Sequence, residues 1–270
     1  MNRPNKEASV EALRLRVERL RQALAAAEAE LKEALLPPQR RAADVAEILR
    51  QRVALFAERF RGREDVFAER FENTKTGKSG YQPKCVNQWR RGVCAKPKQR
   101  CGGCPYRAWE PLTAQVLESH LRGERTVGVY PLLPDGRCYF LALDFDDAES
   151  AMVAQAFCQV CRETSVPAAL ERSRSGTGYH VWIFFSEAVE AWAARRVGRL
   201  LLTQAMERHS AISFRAYDRM FPTQDMVPDP IKGLGNLIAL PLQHGPRLHG
   251  NTLSRLSPSR GTFAQNRTPL

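Results

Sequence analysis

The chain has 270 residues, 43% of them hydrophobic, with a net charge of +12 and a pI near 9.7. That is enough apolar material for one sizeable domain with an appendage, or for two small domains. No apolar run approaches the roughly 20 residues a membrane helix needs, and the start lacks an apolar signal segment; the expectation is a cytoplasmic protein without a membrane partner. The charge points to a polyanion, most simply nucleic acid. Seven cysteines, an odd number, suit metal ligation better than disulfides in that compartment.

Val10, Leu13, Val17, Leu20, Leu24, Ala27, Leu31 and Ala34 recur at steps of three and four, forming the a/d seam of a heptad helix. Prolines 37 and 38 stop it. A second amphipathic helix follows over 42–60, with Val45, Ile48, Leu49, Val53 and Phe56 on one face. The pair reads either as a hairpin closed within one chain, which the short connection favours, or as a dimerising coiled coil. The stretch 61–80 is polar and turn-rich. Its Thr76-Gly77-Lys78-Ser79 is no phosphate-binding P-loop, because Glu72 stands where that motif requires glycine.

Cys85, Cys94, Cys101 and Cys104 fall within 20 residues in a segment poor in apolar side chains. One Zn2+ held by the four thiolates would supply the stability that such a segment cannot draw from a core. Residues 84–107 carry seven Lys or Arg and no acidic residue. Trp89, Arg90, Arg91, Lys96, Lys98 and Arg100 then form a basic, aromatic-bearing surface suited to the backbone and bases of a single strand. The competing reading is a purely structural knuckle.

Beyond Trp109 the texture becomes α/β. A helix is expected over 112–121, then a hairpin with strands 126–132 and 137–143 around a Pro134-Asp135-Gly136 turn. The second strand runs into Asp144-Phe145-Asp146. Strand side chains alternate faces, so Asp144 and Asp146 project side by side while Phe145 turns into the core. Adjacent carboxylates repel, and a divalent cation relieves that repulsion. The competing reading is an acidic turn that starts the next helix, with Asp147 or its neighbour as N-cap. That helix spans 148–163; its Cys158 and Cys161, and Cys138 before them, are expected to serve packing.

A strand over 168–171 leads to Arg172-Ser173-Arg174-Ser175-Gly176-Thr177-Gly178-Tyr179-His180 and another strand over 181–185. A Gly/Ser loop with two arginines offers N–H groups and cations to phosphates, and His180 adds a donor. The helix over 189–209 is expected to turn Val197, Leu200, Leu201 and Met206 inward. Asp218, after Tyr217, is a candidate third carboxylate, and Asp225 is its competitor. Gly233, Gly235 and Asn236 permit close backbone approach before a buried strand.

Asp144 and Asp146, the stretch 175–180 and Tyr217-Asp218 follow the order of three motifs of the archaeo-eukaryotic primase superfamily, which the chain resembles. Five further stretches narrow the likeness: 60–65 (Phe-Arg-Gly-Arg-Glu-Asp), the four-cysteine module, 178–182 (Gly-Tyr-His-Val-Trp), 221–225 (Phe-Pro-Thr-Gln-Asp) and 235–242 (Gly-Asn-Leu-Ile-Ala-Leu-Pro-Leu). They are similar to the primase domain of TOTE conflict systems and to CRISPR-associated primase-polymerases, over about residues 55–250. The resemblance implies an α+β fold. Its RRM-like catalytic core, with a mixed or antiparallel sheet and flanking helices, would occupy 111–250. A zinc module at 80–110 and a helical region at 1–62 would precede it, and an irregular basic tail would fill 251–270.

The implied activity is that of a DNA primase-polymerase, which makes and extends primers on single-stranded DNA from NTP or dNTP. Asp144, Asp146 and Asp218 would hold two Mg2+ or Mn2+ ions, and His180, Ser173, Arg174, Ser175, Gly176 and Asn236 the nucleotide. Self-association, or contact with conflict-system or CRISPR proteins, would run through the N-terminal helix. One departure stands out: the family's Ser-x-His motif has Gly178 two residues before His180. A metal-dependent nuclease, or a zinc-bearing nucleic-acid-binding subunit without turnover, would share parts of this pattern.

Overall fold

In a computed structural model, residues 4–35, 38–146, 150–208, 219–227, 229, 233–252 and 254–256 are described. The chain divides into two compact units, Met1–Arg52 and Val53–Leu270. The first consists of α1 (Pro4–Leu35) and the larger part of α2 (Pro38–Arg59). Pro38 opens α2 at a position where a missing N–H leaves no bond unmade. The seam residues Val10, Leu13, Val17, Leu20, Leu24 and Leu31 are 46–60% exposed, and so are Val45 and Ile48 on α2, at 65% and 47%.

The second unit is α+β, and every pairing between its named strands is antiparallel. Its elements are β1 (Ala68–Glu72), β2 (Ser79–Pro83), α3 (Ala114–Arg122), β3 (Val127–Val129), β4 (Arg137–Phe145), α4 (Ser150–Glu163) and β5 (Ala169–Arg172). After these come β6 (Tyr179–Glu190), α5 (Ala191–Arg208), β7 (Arg219–Phe221), β8 (Ile238–Ala239), α6 (His244–Leu248) and β9 (Ser254–Leu256). One sheet has the order β2-β1-β3-β8, the other β7-β4-β6-β5-β9. Within the larger sheet, β4-α4-β5-β6-α5-β7 follows the β-α-β-β-α-β path of an RRM-like core, with two central strands and both helices on one face.

That helix-covered face is apolar. Leu141, Leu143 and Phe145 of β4 and Val181 and Ile183 of β6 pack against Val153, Phe157 and Cys161 of α4 and Ala194, Leu201 and Leu202 of α5. Burial pushes the thiols of Cys138, Cys158 and Cys161 up to about 12, 11 and 12, so all three are neutral packing groups, as expected. The opposite face carries Phe140, Trp182 and Phe184. Phe60, just past the end of α2, stacks edge-on against Trp182 and Phe184, with ring centroids 5.0 and 5.3 Å away.

Three expectations change. The 126–143 hairpin does not form, because β3 pairs with β1 and β8 while β4 pairs with β6 and β7. Pro131 has no N–H to offer a ladder, and the chain passes there from one sheet to the other. On α5, Val197 and Leu200 are 41% and 58% exposed; the buried stripe is Ala191, Ala194, Gly198, Leu201, Leu202 and Ala205. Small residues mark it because the helix sits close to the sheet: a Cβ on Gly198 would lie 2.7 Å from Leu141 Cδ2. In the segment expected to be an irregular tail, Ser254–Leu256 forms β9 on the edge of β5. Asp147, the proposed N-cap, lies outside the described residues.

Candidate active site and cysteine module

The register of the larger sheet builds the site. Asp144 on β4 stands directly opposite His180 on β6 and, on its other side, opposite Arg219 on β7; His180 in turn faces Glu171 on β5. Directly opposed residues share a face. Arg219, Asp144, His180 and Glu171 therefore form one row of alternating charge across four strands, on the face turned away from α4 and α5. Leu143, Phe145, Val181, Leu170 and Met220 flank the row in sequence and pack into the core on the other side of the sheet, which holds the row in place. Phe145 is fully buried, as the alternation predicted.

Glu171 is 1% exposed. Its Oε2 accepts hydrogen bonds from His180 Nδ1 at 3.0 Å and from Trp182 Nε1 at 2.7 Å. His180 Nε2 points the other way, 3.4 Å from Asp144 Oδ1. Burial alone would lower the imidazole pKa; Glu171 first, and then Asp144, overcome that and push it up to about 10. His180 is thus an imidazolium at neutral pH, with Nδ1 donating to Glu171 and Nε2 turned toward Asp144. Asp144 Oδ1 is buried and makes no hydrogen bond. A buried carboxylate oxygen left in that condition is costly, and it matches the donor a hard cation needs.

Asp146 lies two residues further along the same face and is exposed. It borders Gly178: a Cβ there would collide with Asp146 Oδ1 and stand 2.9 Å from the Phe145 carbonyl oxygen. The departure from Ser-x-His thus has a steric basis in this chain. The hydroxyls come instead from the β5–β6 loop. Ser173 Oγ accepts from Gly178 N–H at 3.0 Å and contacts Ser175 Oγ at 3.0 Å, which contacts Thr177 Oγ1 at 2.9 Å. Gly176 turns the loop with φ +83°, and Asn251 Nδ2 donates to the Arg174 carbonyl at 3.3 Å.

Arg174 also brings in residues from the other sheet. Burial lowers the pKa of Arg70 on β1, and the nearby Arg174 guanidinium lowers it further. Tyr81 on β2 is raised by burial, against the pull of Arg174 and Arg70. Two guanidiniums and a phenol therefore gather beside the β5–β6 loop. Sequence reasoning missed Arg70, Tyr81 and Glu171, since an isolated charge on a short strand carries no signal until the register is known.

The competing carboxylate Asp225 is elsewhere. Its carbonyl oxygen would lie 3.1 Å from a Cβ on Gly136, and its side chain pairs with Arg195 on α5. Gly136 precedes the first residue of β4, about 26 Å of strand from Asp144. Asp218 immediately precedes β7 and lies outside the described residues. Asn236 is exposed just before β8, in the other sheet, and no described contact ties it to the Asp144 row.

Cys85, Cys94, Cys101 and Cys104 all line one small cavity, with Lys96, Tyr106 and Arg107. The segment closes on itself through Val86 N–H to the Ala108 carbonyl at 2.8 Å and Glu110 N–H to the Lys84 carbonyl at 3.1 Å. Backbone N–H groups of Lys96 and Trp89 hold the Cys94 thiol below its ordinary pKa, and Ala108 N–H donates to Cys85 Sγ at 3.5 Å. The contacts at Cys94 favour its thiolate. Among the described residues, however, no three His, Cys, Asp or Glu side chains are arranged to hold a metal ion. Trp89, Arg90, Arg91, Lys98 and Arg100 are exposed, and Lys96 Nζ lies 5.9 Å from the centre of the Trp89 ring.

The sequence profile of the TOTE conflict system archaeo-eukaryotic primase domain matches residues 51–254. The chain belongs to this family. Membership places it among primase-like nucleotidyltransferases, whose substrates are nucleic acid and nucleotides and which generally use divalent metals. No curated protein gives a significant match to the chain. Among the described residues, no helix is long and apolar enough to cross a membrane.

Proposed function

We propose that this primase-family protein is a DNA primase-polymerase that joins nucleotides on a single-stranded DNA template. The observation that carries the reading is the Asp144–His180–Glu171 row, with Asp146 at its mouth and the hydroxyl loop beside it. Asp144 and Asp146, with Asp218, would hold two Mg2+ or Mn2+ ions. Such ions would supply activation of the 3′-hydroxyl and neutralisation of the leaving pyrophosphate. The chain's own part is to orient the triphosphate. His180, kept cationic by Glu171, directs an N–H at its oxygens, while Arg174, Ser173, Ser175 and the N–H groups around Gly176 surround them.

The cysteine module would hold one structural Zn2+ on Cys85, Cys94, Cys101 and Cys104; the shared cavity and the thiolate-favouring contacts at Cys94 support this ligand set. Its exposed Trp89, Arg90, Arg91, Lys98 and Arg100, with Lys96, would hold the template.

The test is primer synthesis on single-stranded DNA with Mg2+ or Mn2+, comparing the wild type with Asp144→Asn/Asp146→Asn. A loss of about 10³-fold or more, with an unchanged circular dichroism spectrum, is expected. Equal product from both proteins would overturn the assignment, and degradation of labelled DNA without nucleotides would point to a nuclease instead. Metal analysis should find one zinc per chain in the wild type and none in Cys101→Ser/Cys104→Ser. Equal zinc in both would remove the ligand set.

A further inference from the structure

We infer that α1 pairs with α1 of a second copy of this chain as an antiparallel two-stranded coiled coil. Between residues 10 and 31 the a positions are Val10, Val17, Leu24 and Leu31, and the d positions are Leu13, Leu20 and Ala27. The six large residues among them are 46–60% exposed. A lone helix gains no stability from such a face, and a repeat of 3.5 residues is the pattern that a partner helix covers.

Charge selects both the partner and its direction. From residue 10 to 21 the helix carries four arginines (14, 16, 19, 21) against two glutamates (11, 18), a net +2; from 22 to 31 it carries only Glu28 and Glu30, a net −2. Within one helix this order is unfavourable, since cations belong near the C-terminus and anions near the N-terminus. It becomes favourable when a second copy lies reversed beside the first. With the two helices centred on residue 22, Leu13 meets the second copy's Leu31, Leu20 meets Leu24, and the small Ala27 faces Val17. The flanking positions then pair Arg14 with Glu28 and Arg16 with Glu30, twice each by symmetry, against one like-charged Arg21–Arg21 contact. In a parallel pair the only doubly charged flanking contact is Arg16 with Arg21, which is repulsive and occurs twice.

The full-length chain tests this by sedimentation equilibrium. The wild type should reach twice its 30.5 kDa monomer mass. Glu28→Arg/Glu30→Arg and Arg14→Glu/Arg16→Glu should each weaken self-association by about tenfold or more, and an equimolar mixture of the two should restore it, because reversed partners regain all four attractive pairs. A parallel dimer gives a different result: the first variant behaves as the wild type, and the second associates more tightly, because the carboxylate introduced by Arg16→Glu then meets Arg21. That result, a monomer at all concentrations (the closed hairpin), or a higher oligomer would each overturn the inference.

Discussion

β4 and the cysteine module are specified by opposite means. In β4 all but two residues are buried, and the strand's place follows from the apolar surface it removes from water. In residues 84–107 only Cys85 is buried, so the chain path rests on turns and backbone hydrogen bonds rather than on a core of its own. Burial can fix a charged row to within hydrogen-bonding distance, as at His180 and Glu171. A surface module keeps its aromatic and basic groups exposed and must draw its rigidity from elsewhere.

The largest effect that separates the two regions is a cavity in the core. Phe157, fully buried with its ring centroid 6.2 Å from Phe145, should cost about 3–5 kcal/mol when truncated to alanine. Tyr106→Ala in the module, at a side chain 59% exposed, should change stability by no more than about 0.5 kcal/mol. Urea unfolding measures both, and similar costs would erase the distinction.

A somewhat smaller effect depends on pH. His120 is fully buried between Val127 N–H, which donates to Nδ1 at 3.1 Å, and the Pro241 carbonyl, which accepts from Nε2 at 2.8 Å. Burial lowers its pKa to about 4. Between roughly pH 6.5 and that value only the unfolded chain takes up the proton. The stabilisation is therefore complete above the unfolded pKa and drains away as pH falls, by about 3 kcal/mol in all. Unfolding free energies at pH 7 and 4.5 should converge less steeply in His120→Gln than in the wild type; identical slopes would show that His120 titrates freely.

The smallest effect belongs to the module's surface. Trp89→Ala and Tyr106→Ala should each weaken single-stranded DNA binding by about 1–3 kcal/mol in fluorescence anisotropy titrations while leaving unfolding unchanged. If binding is unmoved, the exposed rings are not a stacking platform.

The difference also explains what could be read from the chain beforehand. The Asp144-Phe145-Asp146 strand end, the helix before Gly123 and the β5–β6 loop announce themselves through periodicity and turn residues, and they fall where expected. Glu171 does not, because its meaning lies in the register that sets it behind His180. On α5, Leu201 is buried and Met206 packs on the core as expected, but Val197 and Leu200 are not inward: large side chains suggest burial, whereas the helix meets the sheet closely at Gly198. Asp218 is the sequence's candidate third carboxylate and Asp225 its competitor; the packing of Asp225 at the Gly136 end of β4 sets it apart from the Asp144 row.

The crowding of Asp146 against Gly178 reaches beyond this molecule. Two positions at the adjoining ends of β4 and the β5–β6 loop share one space, so they behave as a single heritable character. A relative with serine at the equivalent of 178 must have moved its second carboxylate or the end of its strand, and such changes have to arrive together. A chimera that exchanges only the β5–β6 loop between relatives would inherit a collision, whereas one that exchanges the loop together with the end of β4 would carry a compatible pair.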